Sequence, residues 1–153
     1  MRNSKKYSHA FSLIELLIVI AIVGILSSIA YPSYVDSVER SRRSDAQSGL
    51  LGFANAMQRF HTENNTFVGA ADGGATTGTP AIYTATLPTE GNNVFYNLTI
   101  EAATASTYTL RATPVNSQAG DGYLEVLHTG ARRWDRNDDG DTDDANELNW
   151  DNI

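Results

Sequence analysis

The residues with the clearest capacity for chemistry form an acidic run between two tryptophans, Trp134 and Trp150. Six aspartates stand within residues 135–144. Oxygen-bearing side chains at alternate positions before a glycine are typical of the start of a calcium loop, because Ca²⁺ takes roughly six to eight oxygen ligands and glycine lets the chain wrap around the ion. The spacing predicts five ligands: the side chains of Asp135, Asn137, Asp139 and Asp143, the last directly or through a water, and the carbonyl of Asp141.

The acidic run differs from a standard EF-hand loop at its last position. The twelfth residue is Asn146, and Glu147 falls one position late. No flanking pair of helices is indicated either. A looser single-loop calcium site and a solubilising acidic turn without metal therefore both stay open. We favour the calcium site because so many carboxylates repel one another without a counterion.

A second carboxylate, Glu15, stands at the N-terminal edge of an apolar run. The twenty residues from Leu16 to Val35 contain no Asp, Glu, Lys, Arg or His. A helix of that length spans roughly the 30 Å hydrocarbon core of a bilayer. Burying Glu15 beside such a run without a partner is costly. We therefore expect this segment to lie in a membrane or in equally apolar surroundings, with a cation supplied to Glu15.

The remaining reactive side chains do not suggest an enzyme. The chain has no cysteine, and no glycine-rich phosphate loop precedes a helix. The three histidines, His9, His61 and His128, lie in the basic leader, at a predicted helix end and beside a predicted turn. We interpret His61 and His128 as packed or solvent-facing rather than catalytic, and expect a protein without enzymatic activity.

The charge distribution disfavours nonspecific binding to nucleic acid. The formal charge is −7, and because the first ten residues carry three cations and no acid, the rest of the chain carries −10. Phosphate contacts require clustered Lys and Arg. One basic cluster, Arg40, Arg42 and Arg43, follows the predicted membrane helix, and we interpret it as solvated or facing lipid headgroups, with DNA contact as the alternative.

A long helix is predicted to carry Glu15 and this basic cluster. Beyond Pro32, apolar residues recur at helical spacing as far as Phe60. The pattern predicts one helix from about Phe11 to about His61, about 75 Å long, apolar on all sides in its first half and on one face in its second. Pro32 removes one backbone hydrogen bond and predicts a kink, and Gly24 is a second soft point.

The C-terminal part of the chain is predicted to form a sheet. Apolar residues alternate from Val94 onward, and four strands are predicted: around Val94–Ile100, Tyr108–Ala112, Tyr123–His128 and Ala131–Trp134. Short turns between them make the sheet antiparallel. The Gly-, Ala- and Thr-rich segment before it predicts a long loop with at most one short strand near Ile82–Thr84. The predicted fold is α+β, with the second half of the helix covering a four-stranded antiparallel sheet.

The N-terminal segments resemble a known family. Ala10-Phe-Ser-Leu-Ile-Glu15, the apolar run with Gly24, and Tyr31-Pro-Ser-Tyr34 are similar to the class III signal and first helix of type IV pilins and pseudopilins. The resemblance implies a prepilin peptidase that cuts between Ala10 and Phe11 and methylates the new amino group of Phe11. It also implies that Glu15, then the fifth residue, pairs with the Phe11 amino group of a neighbouring subunit during filament assembly. Ala10 stands where the family usually has glycine.

The resemblance continues beyond the helix. Segments 40–47, 58–67, 108–114 and 118–124 are similar to the type IVa pilins of the PilE-like minor-pilin branch, which implies a pilin fold. The implied parts are a leader (1–10), a membrane and filament-core helix (11–34) and a soluble head (35–153), the head comprising an amphipathic helix half (35–61), a loop (62–93), the sheet (94–134) and the acidic loop (135–153).

Such a chain is implied to be a minor or major subunit of a type IV pilus. It would cross the bacterial inner membrane once and then polymerise into an extracellular filament for adhesion, twitching motility or DNA uptake. Its implied partners are other pilin subunits, prepilin peptidase and the inner-membrane assembly machinery.

Two alternatives are weaker. A pseudopilin of a type II secretion system is less favoured because the head lacks the proline, tryptophan and glycine cluster of major pseudopilins. A DNA-uptake receptor is less favoured because the body is acidic, and its phosphate contacts would come from Arg40, Arg42, Arg43, Arg132 and Arg133.

The resemblance also bears on the acidic run. PilE-like pilins usually close their C-terminal segment with a disulfide whose second cysteine sits next to a tryptophan. The corresponding stretches here are Asp121-Gly-Tyr123 and Asn149-Trp150, without cysteine. We hypothesise that structural Ca²⁺, the single cofactor suggested by the sequence, replaces that disulfide.

Overall fold

The computed structural model describes residues 12–91 and 93–150. One helix, α1, spans Leu13–Asn64. The strands that follow are β1 (Thr86–Leu87), β2 (Tyr96–Ala103), β3 (Tyr108–Pro114), β4 (Leu124–Leu127) and β5 (Arg132–Trp134). They form one antiparallel sheet in chain order. The predicted α+β architecture of a long helix and an antiparallel sheet is confirmed.

The chain divides into two compact units, one ending at Val38 and one beginning at Glu39. The predicted boundary between residues 34 and 35 stays a prediction. In the first unit the large apolar side chains are exposed, from 48% at Leu17 to 76% at Leu13. An 18-residue window of α1 has a mean hydropathy of 2.7 with none of it buried, so the helix is long and apolar enough to cross a membrane.

Pro32 lies inside α1, which has no break in its assigned range. The kink expected at this residue stays a prediction. At the other end, α1 extends three residues beyond the predicted limit at His61. Asn65 ends it by adopting φ 56°, a left-handed conformation that asparagine tolerates. Its N–H donates to the carbonyl of His61 at 2.7 Å, which satisfies one of the last helical carbonyls.

In the second unit the helix contributes one buried stripe at helical spacing: Ala46, Leu50, Phe53, Ala56 and Met57. Four of these residues, Ala46, Leu50, Phe53 and Met57, belong to the same core as the alternate residues of the central strands, which are Tyr96, Leu98 and Ile100 of β2, Tyr108, Leu110 and Ala112 of β3, and Leu124 and Val126 of β4. Alternation gives the sheet one buried face. The predicted covering of the sheet by the second half of the helix is confirmed.

All four predicted strands are present, and a fifth strand joins them. The short strand β1 pairs antiparallel with β2, with Leu87 opposite Tyr96. The short strand that the sequence allows near Ile82–Thr84 is β1, which begins two residues after Thr84; residues 82–84 themselves are not in a strand. Tyr83 instead stacks on Phe53, with ring centroids 5.4 Å apart. A two-residue strand is too short to show alternation, which is why the pattern does not reveal it.

Candidate functional site

Glu15 lies in the first turn of α1, where the free amide groups of a helix favour a negative charge. Its side chain is exposed, and it takes part in none of the ion pairs of residues 12–91 and 93–150. Ala10 and Phe11, the predicted cleavage and methylation positions, lie outside the described residues. At Gly24, no atom lies within 4 Å of the place a Cβ would take. The first unit thus presents an apolar helix with one carboxylate at its start.

In the second unit, a buried polar cluster joins the helix to the turn before β4. The Arg43 guanidinium donates two hydrogen bonds to the carboxylate of Asp121, one of them from Nε at 2.9 Å. It also lies 4.0 Å from the ring centroid of Trp134. Asp121 Oδ2 accepts further hydrogen bonds from Tyr96 Oη at 2.7 Å and Gln118 Nε2 at 3.0 Å. Burial, reinforced by Asp121, raises the pKa of Tyr96, so its hydroxyl remains a donor.

This cluster changes the interpretation of the arginines. Arg43 is neutralised by Asp121 and is not a free phosphate ligand. Arg42 lies over the Phe95 ring at 3.9 Å and donates to Ser117 Oγ at 3.1 Å. Arg132 lies over the Trp150 ring at 5.3 Å. Three of the five arginines considered for DNA contact therefore have structural partners within the head.

The acidic loop folds around its own backbone. The carboxylate of Asp135, a residue only 1% exposed, accepts the N–H groups of Asp139 at 3.1 Å and Gly140 at 3.2 Å. Asn137, Asp139 and Asp141 each accept the N–H of the residue two positions ahead, at 3.1, 3.2 and 3.2 Å. These bonds give the loop a succession of tight turns in which the side chains of Asn137, Asp139 and Asp141 are exposed.

Glu147 is absent from the predicted ligand set, yet it is completely buried. The N–H of Trp134 donates to the Glu147 carbonyl at 3.0 Å, which joins the end of β5 to the end of the acidic loop. Glu147 Oε1 accepts the N–H groups of Arg136 at 3.0 Å and Asn137 at 3.4 Å. Glu147 Oε2 is buried and has no hydrogen-bond partner within the described part of the chain. In the sequence, the one indication of this role is that an acid stands directly after the twelfth residue of the loop, Asn146.

Residues 12–91 and 93–150 contain no ready group of three or more Asp, Glu or His side chains that could hold a metal ion. The amide of Asn137 instead donates to Asp139 Oδ2 at 2.8 Å and to Asp144 Oδ2 at 3.3 Å. The five predicted calcium ligands share one loop. Calcium binding stays a prediction.

The carboxylates of the loop are nevertheless crowded. Burial raises the pKa of the Asp135 carboxyl, against the opposing effect of the Gly140 and Asp139 N–H groups. The pKa of Asp143 is also raised, chiefly by its hydrogen bond with Asp141 and by repulsion from the same group. The raised pKa values of these two carboxyl groups indicate that the loop has too few positively charged partners for its acids.

Both tryptophans that flank the loop are structural. Trp134 and Trp150 are each 6% exposed and belong to the core. Trp134 Nε1 donates to the carbonyl of Asp121 at 2.7 Å, and Trp150 Nε1 donates to that of Arg133 at 2.8 Å. Both side chains fill the core, and the indole N–H of each has a hydrogen-bond acceptor.

The two histidines of the head lie at the ends of a row of ring contacts. His61 contacts Phe67 at 4.4 Å between centroids, Phe67 contacts Tyr108 at 4.8 Å, and Tyr108 contacts His128 at 6.4 Å. The interpretation of His61 and His128 as packed side chains agrees with these contacts.

Two family models match the chain. The model described as type IV minor pilin ComP, DNA uptake sequence receptor, matches residues 32–122. The model of the prokaryotic N-terminal methylation motif matches residues 5–31. Together they cover the apolar helix, the basic cluster and the sheet as far as the segment before β4.

Several characterised proteins are similar over a shorter range. Type IV major pilin protein PilA of Myxococcus xanthus (strain DK1622) is 38% identical over 60 residues, which are 39% of this chain and 27% of PilA. Fimbrial protein EcpC of Eikenella corrodens is 44% identical over 59 residues, 39% of each chain. Type II secretion system core protein G of Aeromonas hydrophila is 30% identical over 63 residues, 41% of this chain and 44% of that protein. The chain therefore spans less than half the length of these relatives.

Among solved structures, the non-core minor pilin PilV of Neisseria meningitidis matches with a TM-score of 0.44 and 20% identity, over 63% of this chain and 85% of PilV.

Proposed function

We propose that this chain, which belongs to the type IV minor pilin family, is a subunit of a type IV pilus and that its two units serve the filament in different ways. The first unit anchors the subunit in the bacterial inner membrane and later packs among the helices of an extracellular filament. The second unit is a folded head with a structural rather than a catalytic role. Its partners are other pilin subunits, prepilin peptidase and the inner-membrane assembly machinery.

The observation that carries this proposal is the exposure of the apolar helix. Its large side chains are between 48% and 76% exposed, far more apolar surface than a soluble monomer leaves in water. Lipid covers this surface before assembly, and neighbouring helices cover it afterwards. Both surroundings are apolar, so the transfer from membrane to filament costs little for these side chains.

Glu15 gives the assembly its register. Cleavage between Ala10 and Phe11 creates an amino group four residues before Glu15. In an apolar filament core a carboxylate without a cation is costly, whereas a carboxylate paired with the amino group of a neighbouring subunit is not. A subunit that docks at another position along the filament axis leaves both the carboxylate and the amino group unpaired. The ion pair therefore favours one axial position of each subunit relative to its neighbour.

Glu15→Ala is expected to keep the subunit in the membrane and remove it from filaments. Breaking a buried ion pair from one side leaves the other charge unpaired, and this costs enough to lower incorporation by at least about tenfold. The measurement is the ratio of this subunit in sheared filaments to that in membranes, by immunoblot. Asp36→Ala, which removes an exposed acid from the same helix, serves as the control and is expected to leave the ratio unchanged. Unchanged incorporation of the Glu15 variant would contradict the role given to this carboxylate.

A pseudopilin of a type II secretion system is the first alternative. Its support is the 30% identity with core protein G over 63 residues. The minor pilin model, by contrast, matches residues 32–122 and so includes much of the head. The pilus assignment is therefore the better supported.

DNA binding is the second alternative, because the matching family description names a DNA uptake sequence receptor. We expect no retarded band when the full-length protein in detergent is mixed with duplex DNA at physiological salt, since the body is acidic and Arg43 is neutralised by Asp121. A retarded band that disappears in the Arg40→Ala/Arg133→Ala double variant would instead establish a DNA receptor.

A further inference from the structure

We propose that the loop of residues 135–147 binds one Ca²⁺ ion and that Glu147 is the buried ligand that closes the site. This assignment concerns the stability of the head and is independent of filament assembly. It adds Glu147 to the five ligands that the sequence spacing predicts.

The first argument is the state of the Glu147 carboxylate. The residue is completely buried, and its Oε1 is held by two backbone N–H groups at the beginning of the loop. These two hydrogen bonds hold the carboxylate against the backbone at the start of the loop. Its Oε2 is left buried without a hydrogen-bond partner among the described residues. A buried carboxylate oxygen is stable only when a donor or a cation compensates for the water it has lost.

The second argument is that Glu147 shares its surroundings with another buried acid. Asp135 is 1% exposed and follows Trp134, whose N–H donates to the Glu147 carbonyl. In the part of the chain that the structure describes, the ion pairs use Asp121, Glu101 and Glu125 and include neither of these two acids. Two buried carboxylates at the two ends of one loop are the arrangement that a divalent cation stabilises.

The third argument is the chemistry of the donors between them. Side chains with oxygen donors stand at Asn137, Asp139, Asp141 and Asp143, and the segment has no histidine or cysteine. Oxygen-only donors select a hard cation, and a flexible loop with many of them suits the larger Ca²⁺ better than Mg²⁺, which demands a small regular octahedron. These side chains are exposed. Binding requires them to turn inward from their present partners toward the two buried acids.

The consequence is a clamp on the C-terminal segment. The loop separates β5 from Trp150, whose indole is buried and bonded to the carbonyl of Arg133. An ion bound by residues at both ends of the loop holds that tryptophan in the core. Because the ion binds the folded loop and not the unfolded chain, its binding free energy adds to the stability of the head.

The first test is thermal unfolding of the full-length protein in detergent, with CaCl₂ or with a calcium chelator. Calcium at about a hundred times its Kd is expected to raise Tm by at least about 5 °C. Equal concentrations of Mg²⁺ are expected to give a much smaller rise. An identical Tm in calcium and in chelator would overturn the site, and an equal rise with Mg²⁺ would overturn the choice of calcium.

The second test is the Glu147→Gln variant, which keeps the size of the side chain and removes its charge. Calcium affinity, measured by displacement of Tb³⁺ whose luminescence is excited through Trp134 and Trp150, is expected to fall at least about tenfold. In chelator the variant is expected to melt at the wild-type temperature or above it, because an uncompensated buried charge has been removed. A Glu147 with only a structural role would lower Tm equally with and without calcium.

Asp138→Asn is the matched control. Asp138 is exposed, its φ of 56° suits asparagine, and it is not among the proposed ligands. The affinity of the Asp138→Asn variant for calcium is expected to stay near the wild-type value. If the Glu147 variant does not fold, Asp135→Asn replaces it with the same expected loss of affinity. Absence of Tb³⁺ binding by the wild-type protein would by itself overturn the assignment.

Discussion

Gly122→Ala is expected to lower the free energy of unfolding of the head by more than about 4 kcal/mol, enough to prevent folding of many proteins of this size. Gly122 has φ +69°, and a Cβ on it would overlap the carbonyl oxygen of Asp135 and stand 2.7 Å from its carbon. Both obstructing atoms are backbone, so no side-chain rotation relieves the overlap.

The surroundings of Gly122 also resist a backbone shift. The N–H of Asp135 donates to the carbonyl of Tyr123 at 3.0 Å, and Trp134 Nε1 donates to that of Asp121 at 2.7 Å. Separating the two segments to admit a methyl group breaks both hydrogen bonds and displaces a core tryptophan. The variant therefore combines steric overlap with the loss of interactions that hold β5 in place.

Gly73→Ala provides the control, because Gly73 has nearly the same φ, +67°, and nothing within 4 Å of its missing Cβ. Gly73→Ala is expected to lower the free energy of unfolding by only about 1–2 kcal/mol, because alanine tolerates the left-handed backbone conformation less well than glycine. Denaturant unfolding of the full-length protein in detergent, followed by tryptophan fluorescence, measures both. Equal losses in the two variants would contradict the contact argument.

Asp121→Ala is expected to lower the free energy of unfolding of the head by about 3–5 kcal/mol, the usual range when one partner of a buried ion pair is removed. The side chains of Arg43 and Asp121 are 16% and 9% exposed. Without the carboxylate, Arg43 keeps a buried charge, and Tyr96 and Gln118 lose an acceptor. The same denaturant experiment measures the loss.

A second substitution separates the charge from the packing. Arg43→Met in the Asp121→Ala background removes the unpaired cation and is expected to recover part of the lost stability. Glu101→Ala is the matched control at a half-exposed pair, where Glu101 and Arg111 lie 3.4 Å apart, and it is expected to cost less than about 1 kcal/mol. A double variant less stable than Asp121→Ala alone would show that Arg43 contributes chiefly through its contact with Trp134.

The periodic parts of the fold could be read from the sequence because their patterns are local. The apolar stripe at Leu50 and Phe53 and the alternation at Tyr96 and Leu98 each repeat within a few residues and record which face is buried. The strand β1 could not be found this way, since two residues contain no period. Its place is decided by pairing with β2 and not by a pattern within the strand itself.

The polar interactions were less accessible for a different reason. Arg43 and Asp121 are 78 residues apart, and the sequence alone does not show which acid pairs with which arginine. The sequence therefore predicts a solvated basic cluster, although one of its members, Arg43, is packed against an acid and a tryptophan. Glu147 misses the twelfth position of a standard loop, and its burial and its hydrogen bonds to Arg136 and Asn137 show that it belongs to the acidic loop.

The order of the strands in the sheet has a consequence for the speed of folding. Each strand pairs with the one that immediately precedes it in the chain, so the sheet can form through short loop closures, which are fast. The contacts of the helix with the end of the sheet join residues that are far apart in the chain, as the 78-residue separation of Arg43 and Asp121 illustrates. We expect the slow step of folding to be the closure of a nearly complete sheet onto the helix.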